Sequence, residues 1–223
     1  MKILVIDIGG THVKVLTNEQ HEPRKVASGA KMTAAQMVAA VQALTADWSY
    51  DVISIGFPGP VVHGKPVAEP KNLGAGWVGF DFSKAFGKPL RIVNDAAMQA
   101  LGSYTGGRML FLGLGTGLGS AMVADGVLAP MELAHLPYKK GKTYEDYVGM
   151  RGLEAFGKKR WRKEVADVIA VLAKALGADS VVLGGGNARL IDPPPDGVRL
   201  GDNANAFAGG FLLWKDAAEP GKG

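Results

Sequence analysis

Asp7-Ile8-Gly9-Gly10-Thr11-His12-Val13-Lys14 joins two apolar runs, Ile3 to Ile6 and Val13 to Leu16, through a turn built on adjacent glycines. The pattern predicts a strand, a tight loop and a returning strand. Glycines without a Cβ let backbone N–H groups approach an anion, Thr11 adds a hydroxyl, and Lys14 brings a positive charge back on the second strand. Asp7, just ahead of the turn, would repel a phosphate directly but would hold the Mg²⁺ that accompanies it, through water. Two readings fit the stretch: a metal–nucleotide loop, and an ordinary hairpin with Gly-Gly in its turn. Two better-known phosphate loops are excluded. No Gly-x-x-x-x-Gly-Lys-Ser/Thr occurs, and Gly113-Leu-Gly115-Thr-Gly117-Leu-Gly119 lacks the Gly-x-Gly-x-x-Gly spacing.

The plan recurs. Met109-Leu-Phe-Leu112 leads into that second glycine run, and Ser120 to Ala124 returns as a strand, so that Ile8-Gly9 aligns with Leu114-Gly115. Two such units imply two related lobes, each presenting a phosphate-facing loop to a shared cleft. A third cluster, Gly184-Gly185-Gly186-Asn187, follows the strand Ser180 to Leu183 and precedes a polar, helix-like start. A nucleotide's adenosine or phosphates can meet bare backbone at such a place.

With 223 residues, 47% of them apolar and 21% charged, the chain can bury a large core as one domain or two modest lobes. Its 32 glycines are about twice the usual share, and they cluster beside apolar runs as loop-forming residues do. The absence of cysteine excludes disulfides and leaves any zinc site to carboxylates and 4 His, so no zinc is expected. The N-terminus enters a strand at once, and no apolar run reaches the roughly 18 residues of a membrane span. The expectation is a cytoplasmic protein with no membrane partner.

The net charge is +4, and basic residues concentrate in Lys158-Lys159-Arg160-Trp161-Arg162-Lys163. A solvated helix start is one reading, although cations there face the positive end of the helix dipole. A docking point for a polyanion, either polyphosphate or nucleic acid, is the other.

Along the rest of the chain, Arg24 to Ser28 reads as a third strand. Thr33 caps a helix to about Thr45, with Met37, Val38, Val41 and Leu44 on one side. Val52 to Gly56 is a buried strand ending in the rigid turn Phe57-Pro58-Gly59-Pro60. Residues 61 to 89 read as loops and short strands. They contain Asn72 and Trp77, whose amide and aromatic face suit a sugar, while a turn residue and a core residue are the plain alternative.

Leu90 to Val93 is the next strand. Asn94 caps a helix to Gly102, which puts Asp95 in the first turn, where the dipole favours its charged form. Asp95 is thus a candidate base, or an ordinary first-turn acid. Glu132 and His135, between Pro130 and Pro137, are spaced to share one face of a short helical turn. Thr143 to Asp146 resembles a capping box, with Glu145 in the first turn. Residues 160 to 176 form a helix stopped by Gly177, and a last apolar helix follows Asn203-Ala204-Asn205 to about Trp214. Residues 217 to 223 read as a loose tail.

Taken in order, Asp-x-Gly-Gly-Thr-x-x-Lys at the start, Gly-Phe-Pro-Gly at 56 to 59, Asn-Leu-x-x-x-Trp at 72 to 77 and Asn94-Asp95 resemble the ROK sugar kinases. So do Leu-Gly-Thr-Gly-Leu-Gly at 114 to 119, Glu-x-x-His at 132 to 135 and Gly-Gly-Gly-Asn at 184 to 187, and the branch they resemble most is that of the polyphosphate glucokinases. The resemblance covers nearly the whole chain.

It implies an α/β, actin-like ATPase (hexokinase/ribonuclease H-like) fold with two lobes around a central cleft. Residues 1 to 105 would form one lobe and 106 to 205 the other, and a C-terminal helix at about 206 to 216 would pack back on the first. Asp95 would accept the proton of the sugar's 6-hydroxyl, while Asn72, Asn94, Glu132, His135 and Glu145 would bond the other hydroxyls. Gly9, Gly10, Thr11 and Lys14 would face the phosphates with Gly115, Thr116 and Gly117. Gly185 and Gly186 would line the adenosine side, and Asp7 would organise Mg²⁺. A homodimer is implied as well.

Three departures stand out. The family's cysteine-rich zinc segment after the His is missing, which loosens the alignment of Glu145. Ala134 stands where a Gly commonly precedes that His. The chain begins at its first strand, without the DNA-binding helices of the family's repressors, so no DNA partner is expected. The resulting expectation is a hexose kinase, most readily a glucokinase using ATP, polyphosphate or both. A kinase for another hexose or an N-acyl amino sugar, and a non-catalytic sugar-binding sensor, are the alternatives.

Overall fold

Strand β1 (Ile3–Ile8) is the centre of the first sheet because nearly every one of its residues is apolar and buried, as a strand covered on both faces must be. The computed structural model describes residues 1–202 and 204–215. The expected tail at 217 to 223, and Asn203, lie outside the described residues. Two compact units emerge: Met1–Met98 with the described residues from Ala206 onward, and Gln99–Asn205.

In the first unit, β1 pairs antiparallel with β2 (His12–Thr17), which pairs with β3 (Arg24–Ala27). Helix α1 (Ala34–Leu44) follows, closed at its start by a capping box between Thr33 and Gln36. Strand β4 (Val52–Phe57) then returns parallel to β1. A small hairpin of β5 (Val61–Val62) and β6 (Lys65–Pro66) and a short helix, α2 (Phe82–Phe86), precede β7 (Leu90–Asn94), which adds parallel to β4. The sheet order is β3-β2-β1-β4-β7. One face, carrying Leu4, Ile6, Val13, Ile53 and Phe57, packs on Met37, Val38 and Val41 of α1 and on Trp77.

Helix α3 (Asp95–Ser103) starts directly after β7, and the division between the units falls within it. Strands β8 (Arg108–Leu114), β9 (Leu118–Ala124) and β10 (Val127–Met131) form an antiparallel meander. Helices α4 (Tyr144–Val148) and α5 (Met150–Leu176) follow, then β11 (Ser180–Gly184), a 3₁₀ turn at Ala188–Leu190, and β12 (Val198–Leu200). The second sheet runs β10-β9-β8-β11-β12. This is the strand order of the first sheet repeated, with the same antiparallel and parallel pairings.

Helix α5 starts earlier than the apolar spacing of residues 160 to 176 predicts. Gly157 breaks it at φ 70° and ψ 160°, a conformation open to glycine, so the helix falls into two segments. The apolar period becomes continuous only after the break, where Trp161, Val165, Val168 and Leu172 pack under β8 and β11.

The last helix, α6 (Asn205–Leu212), belongs to the first unit. Ala206 and Phe207 cover Ile3, Val5 and Val52 on the second face of the first sheet. A Cβ on Gly210 would stand 2.4 Å from Val5, so only glycine lets the helix settle there. Ser54, buried in β4, donates to the Gly210 carbonyl at 2.6 Å and accepts from the Trp214 indole at 3.0 Å.

Candidate active site

In the first unit, β1 and β2 are joined through Gly9, Gly10 and Thr11. Gly9 N donates back to the His12 carbonyl at 3.0 Å, and the Ser28 hydroxyl donates to the Gly9 carbonyl at 2.6 Å, so the loop is braced from behind. Among the described residues, the amides of Gly10 and Thr11 have no protein acceptor. That is the arrangement an anion-binding loop requires. The Asn72 side chain lies on the same loop, since a Cβ on Gly10 would stand 3.1 Å from Asn72 Cβ.

Asp7 and Lys14 are register partners across the hairpin, so their side chains share one face. On the other side of Asp7, Gly56 is its parallel partner in β4. A Cβ on Gly56 would stand 2.4 Å from Met98 Cε and 3.6 Å from Asp95 Cα. The bare glycine thus lets the start of α3 approach the strand beside Asp7. Asn94 Oδ1 accepts from the amides of Ala96 at 2.9 Å and Ala97 at 3.3 Å, capping the helix as the sequence predicts. Its Nδ2 donates to the Gly59 carbonyl at 3.0 Å, tying the Phe57 to Pro60 turn to the helix start.

In the second unit, the corresponding loop is Gly115, Thr116 and Gly117, closed by a bond from Gly115 N to the Gly117 carbonyl at 3.1 Å. Among the described residues the amides of Thr116 and Gly117 again have no protein acceptor, and neither have those of Gly185 and Gly186. The two loops are knitted together. Asn187 N donates to the Leu114 carbonyl at 2.9 Å, and its Nδ2 donates to the Gly115 carbonyl at 3.3 Å. A cavity of about 440 Å³ opens beside them, lined by Gly185, Gly186, Arg189, Leu200 and Asp202.

Glu145 is buried against this loop. A Cβ on Gly117 would lie 2.3 Å from Glu145 Oε2, and Arg151 pairs with the Glu145 carboxylate at 3.3 Å and with Asp146 at 3.0 Å. Glu145 N donates to the Ala134 carbonyl at 3.0 Å, which brings the segment bearing Glu132 and His135 to the first turn of α4.

The ROK family profile matches residues 3–130. The chain belongs to the ROK family. A polyphosphate glucokinase of Mycobacterium tuberculosis (strain CDC 1551 / Oshkosh) is 29% identical over 208 residues, spanning 85% of this ROK chain and 74% of its own. The inorganic polyphosphate/ATP-glucomannokinase of Arthrobacter sp. strain KM matches with a TM-score of 0.82 at 22% identity, over 98% of this chain and 99% of that one. A ROK family glucokinase from Streptomyces griseus, solved with glucose and AMPPNP, gives 0.74 at 18% identity over 96% and 99%. The fold is the actin-like ATPase fold.

One detail of the sequence reading changes in this ROK protein. Glu132 and His135 do not share a helical turn. Ser120 Oγ donates to the Met131 carbonyl at 2.9 Å and accepts from Leu133 N at 3.2 Å, which ties the chain on both sides of Glu132 to β9. A tight turn follows from Leu133 to Leu136, and both Glu132 and His135 are exposed. Trp77 is core, as the plainer reading of the sequence has it, fully buried between Phe57 and Phe82. The fold of its loop depends on Glu69, whose carboxylate accepts from Trp77 N at 3.1 Å and from Val78 N at 3.2 Å and is held below the usual carboxylate range by those bonds. Neither Ser120 nor Glu69 carries a local signal. Their partners lie eight or more residues away, outside any periodic pattern.

Burial raises the Asp7 carboxyl above its ordinary value, with Lys14 opposing the shift. The ionised form is therefore disfavoured by folding, a penalty absent below the unfolded value of 3.8 and complete above the raised folded one. Asp7→Asn should accordingly match or exceed the wild-type Tm at neutral pH, with the difference closing as pH falls. Thermal melts across pH check this, and a lower Tm for the variant at pH 7 would contradict it.

Proposed function

We propose that this ROK protein is a hexose kinase, transferring a phosphoryl group from ATP, polyphosphate or both to the 6-hydroxyl of a hexose, glucose foremost. The observation that carries the reading is the placement of Asp95 at the start of α3, where Gly56 brings the helix against the strand pair holding Asp7 and Lys14. The candidate base, metal carboxylate and phosphate loop thereby lie at the carboxyl ends of β1, β4 and β7 in one sheet. Phosphoryl transfer depends on positioning and charge neutralisation more than on covalent chemistry, and these parts supply both.

In the proposed reaction, Asp95 accepts the proton as the 6-oxygen forms its bond to phosphorus and the donor's bridging P–O bond breaks. The free amides of Gly10, Thr11, Thr116 and Gly117, with Lys14, take the charge of the donor's phosphates. Gly185 and Gly186 face the adenosine in the adjoining cavity when ATP is the donor. Asn72 and Asn94 from the first unit, and Glu132, His135 and Glu145 from the second, bond the remaining hydroxyls. Asn94 has one amide hydrogen left for this after its bond to Gly59.

The donor set fits Mg²⁺. Asp7 offers one carboxylate, and among the described residues no three His, Asp or Glu converge as a caged metal would need. A hard cation that keeps several waters and arrives with phosphates is bound in this way. When bound, Mg²⁺ would neutralise charge between the transferring and leaving phosphates.

The test is a coupled assay for hexose 6-phosphate, offering glucose with ATP and with polyphosphate separately, and with fructose, mannose and N-acetylglucosamine as competing acceptors. Transfer to glucose supports the reading. Calorimetric sugar binding without transfer from either donor overturns it in favour of a sensor. The proposal further places the enzyme in the cytoplasm as a homodimer with no DNA partner, and light scattering tests the assembly.

Gly117→Ala separates the roles within the second unit. The added methyl meets the Glu145 carboxylate and not backbone, so the carboxylate turns away and the fold survives. Losing one hydrogen bond to a charged group, worth about 1.5–3 kcal/mol, should raise the sugar KM by roughly ten- to a hundredfold with Tm almost unchanged. An unaltered sugar KM would remove Glu145 from the sugar contacts.

A further inference from the structure

We propose that the exposed lysines after the Gly157 break in α5 are a docking track for the body of an inorganic polyphosphate chain whose end reaches the Gly184–Asn187 loop. The inference rests on the phosphotransferase reading for what happens at the chain's end, while docking itself is measurable without turnover.

Residues 158, 159, 162 and 163 follow one another around a single face of the helix, three or four positions apart in their cross-turn pairs. Trp161 turns inward, fully buried, and its indole donates to the Val148 carbonyl at 2.9 Å. Arg160 turns aside to Glu164, with its guanidinium 4.4 Å over the Phe156 ring. Arg162 is half-buried, and its Nε donates to the Leu190 carbonyl in the 3₁₀ turn. That bond anchors the basic face beside Arg189, which lines the cavity at Gly185 and Gly186.

Lys158, Lys159 and Lys163 remain exposed, and among the described residues none of them has an ion-pair partner. Positive charge therefore runs from the helix face through Arg162 and Arg189 to a loop with free backbone amides. Three unpaired lysines at or near the positive end of a helix segment oppose its dipole, and a bound polyanion would relieve that opposition.

Inorganic polyphosphate suits this surface better than a nucleic acid does. Single strands are held by stacking bases on open aromatic faces as well as by charge. The two aromatic rings of the stretch are taken, Trp161 by the core and Phe156 by Arg160. The track offers charge without a stacking platform, and a chain of phosphates needs only that.

The deciding variant is Lys158→Gln/Lys159→Gln/Lys163→Gln in the intact protein. Its side chains are exposed and its Tm should hold or rise, because cations leave the positive end of a dipole. Long-chain polyphosphate binding, read by displacement of a fluorescent polyphosphate, should weaken about tenfold, since each exposed charge contribution is small and three are removed. Its dependence on salt should shrink as well. KM for ATP should stay at the wild-type value, because none of the three residues lines the nucleotide cavity. Equal long-chain binding by variant and wild type would overturn the proposal. So would tighter wild-type binding of single-stranded DNA than of polyphosphate of matched charge. Failure of the kinase reading shows differently, as no hexose phosphate from any donor while the binding difference persists.

Discussion

Asp95→Asn is expected to lower turnover by about 10²- to 10⁴-fold, the range a positioned general base contributes. The substitution keeps the shape of the side chain and leaves the Asn94 cap of α3 in place. Loss of a first-turn acid costs about 0.3–1 kcal/mol of helix stability, too little to unfold the unit. The defect should therefore appear in kcat, while the calorimetric affinity for the sugar changes little. The coupled assay and a sugar titration on the same preparation measure both. Undiminished kcat would remove Asp95 from the base role. A fall in sugar affinity as large as the fall in turnover would make it a binding residue instead.

Gly185→Ala should have the largest effect among the three glycines of the Gly184–Gly186 cluster. Gly185 sits at φ +81°, and a Cβ there would meet Leu114 O at 2.4 Å and Leu114 C at 2.8 Å. Both obstacles are backbone, so neither can rotate away. Strain of this kind costs about 1–3 kcal/mol. The relaxation available is to part the two loops, which breaks the bond from Asn187 N to the Leu114 carbonyl. Losing one or two such anchors, each worth about 0.5–1.5 kcal/mol, should raise KM for ATP about tenfold and lower Tm together. Gly186→Ala is the control for stability, because its Cβ would meet no protein atom. Equal Tm for the two variants would show that the packing of Gly185 on Leu114 is not what positions the loop.

Much of this was legible in the chain because the signals were local. Alternating apolar runs around Gly9-Gly10 and around Gly115 to Gly117 marked the hairpins. The likeness of the two runs anticipated sheets with one strand order, and Thr33, Asn94 and Thr143 cap helices where side-chain oxygens at strand or loop ends predict them.

What stayed hidden depends on partners distant in sequence. Glu145 reads as an ordinary first-turn acid until the loop around Gly117 is folded against it. Spacing alone allowed Glu132 and His135 to share one face of a short helical turn, whereas a single hydroxyl from β9, Ser120, ties the chain beside Glu132 to the sheet. Trp77 reads more readily as core than as a sugar platform, and the rings of Phe57 and Phe82 that enclose it agree. Gly157 was invisible as a break because the charges around it carry no apolar period to interrupt.

The return of α6 to the first sheet has a consequence for biogenesis. Ser54 and Gly210, which bond to each other, lie 156 positions apart, and everything the second unit needs is made in between. On the ribosome, the first sheet therefore emerges early with Ile3, Val5 and Val52 bare on one side. It keeps that sticky surface while Gln99–Asn205 is translated and free to fold as an uninterrupted block. A nascent chain stalled just after Asn205 would be a client for chaperones, and release of α6 from the exit tunnel would end that dependence.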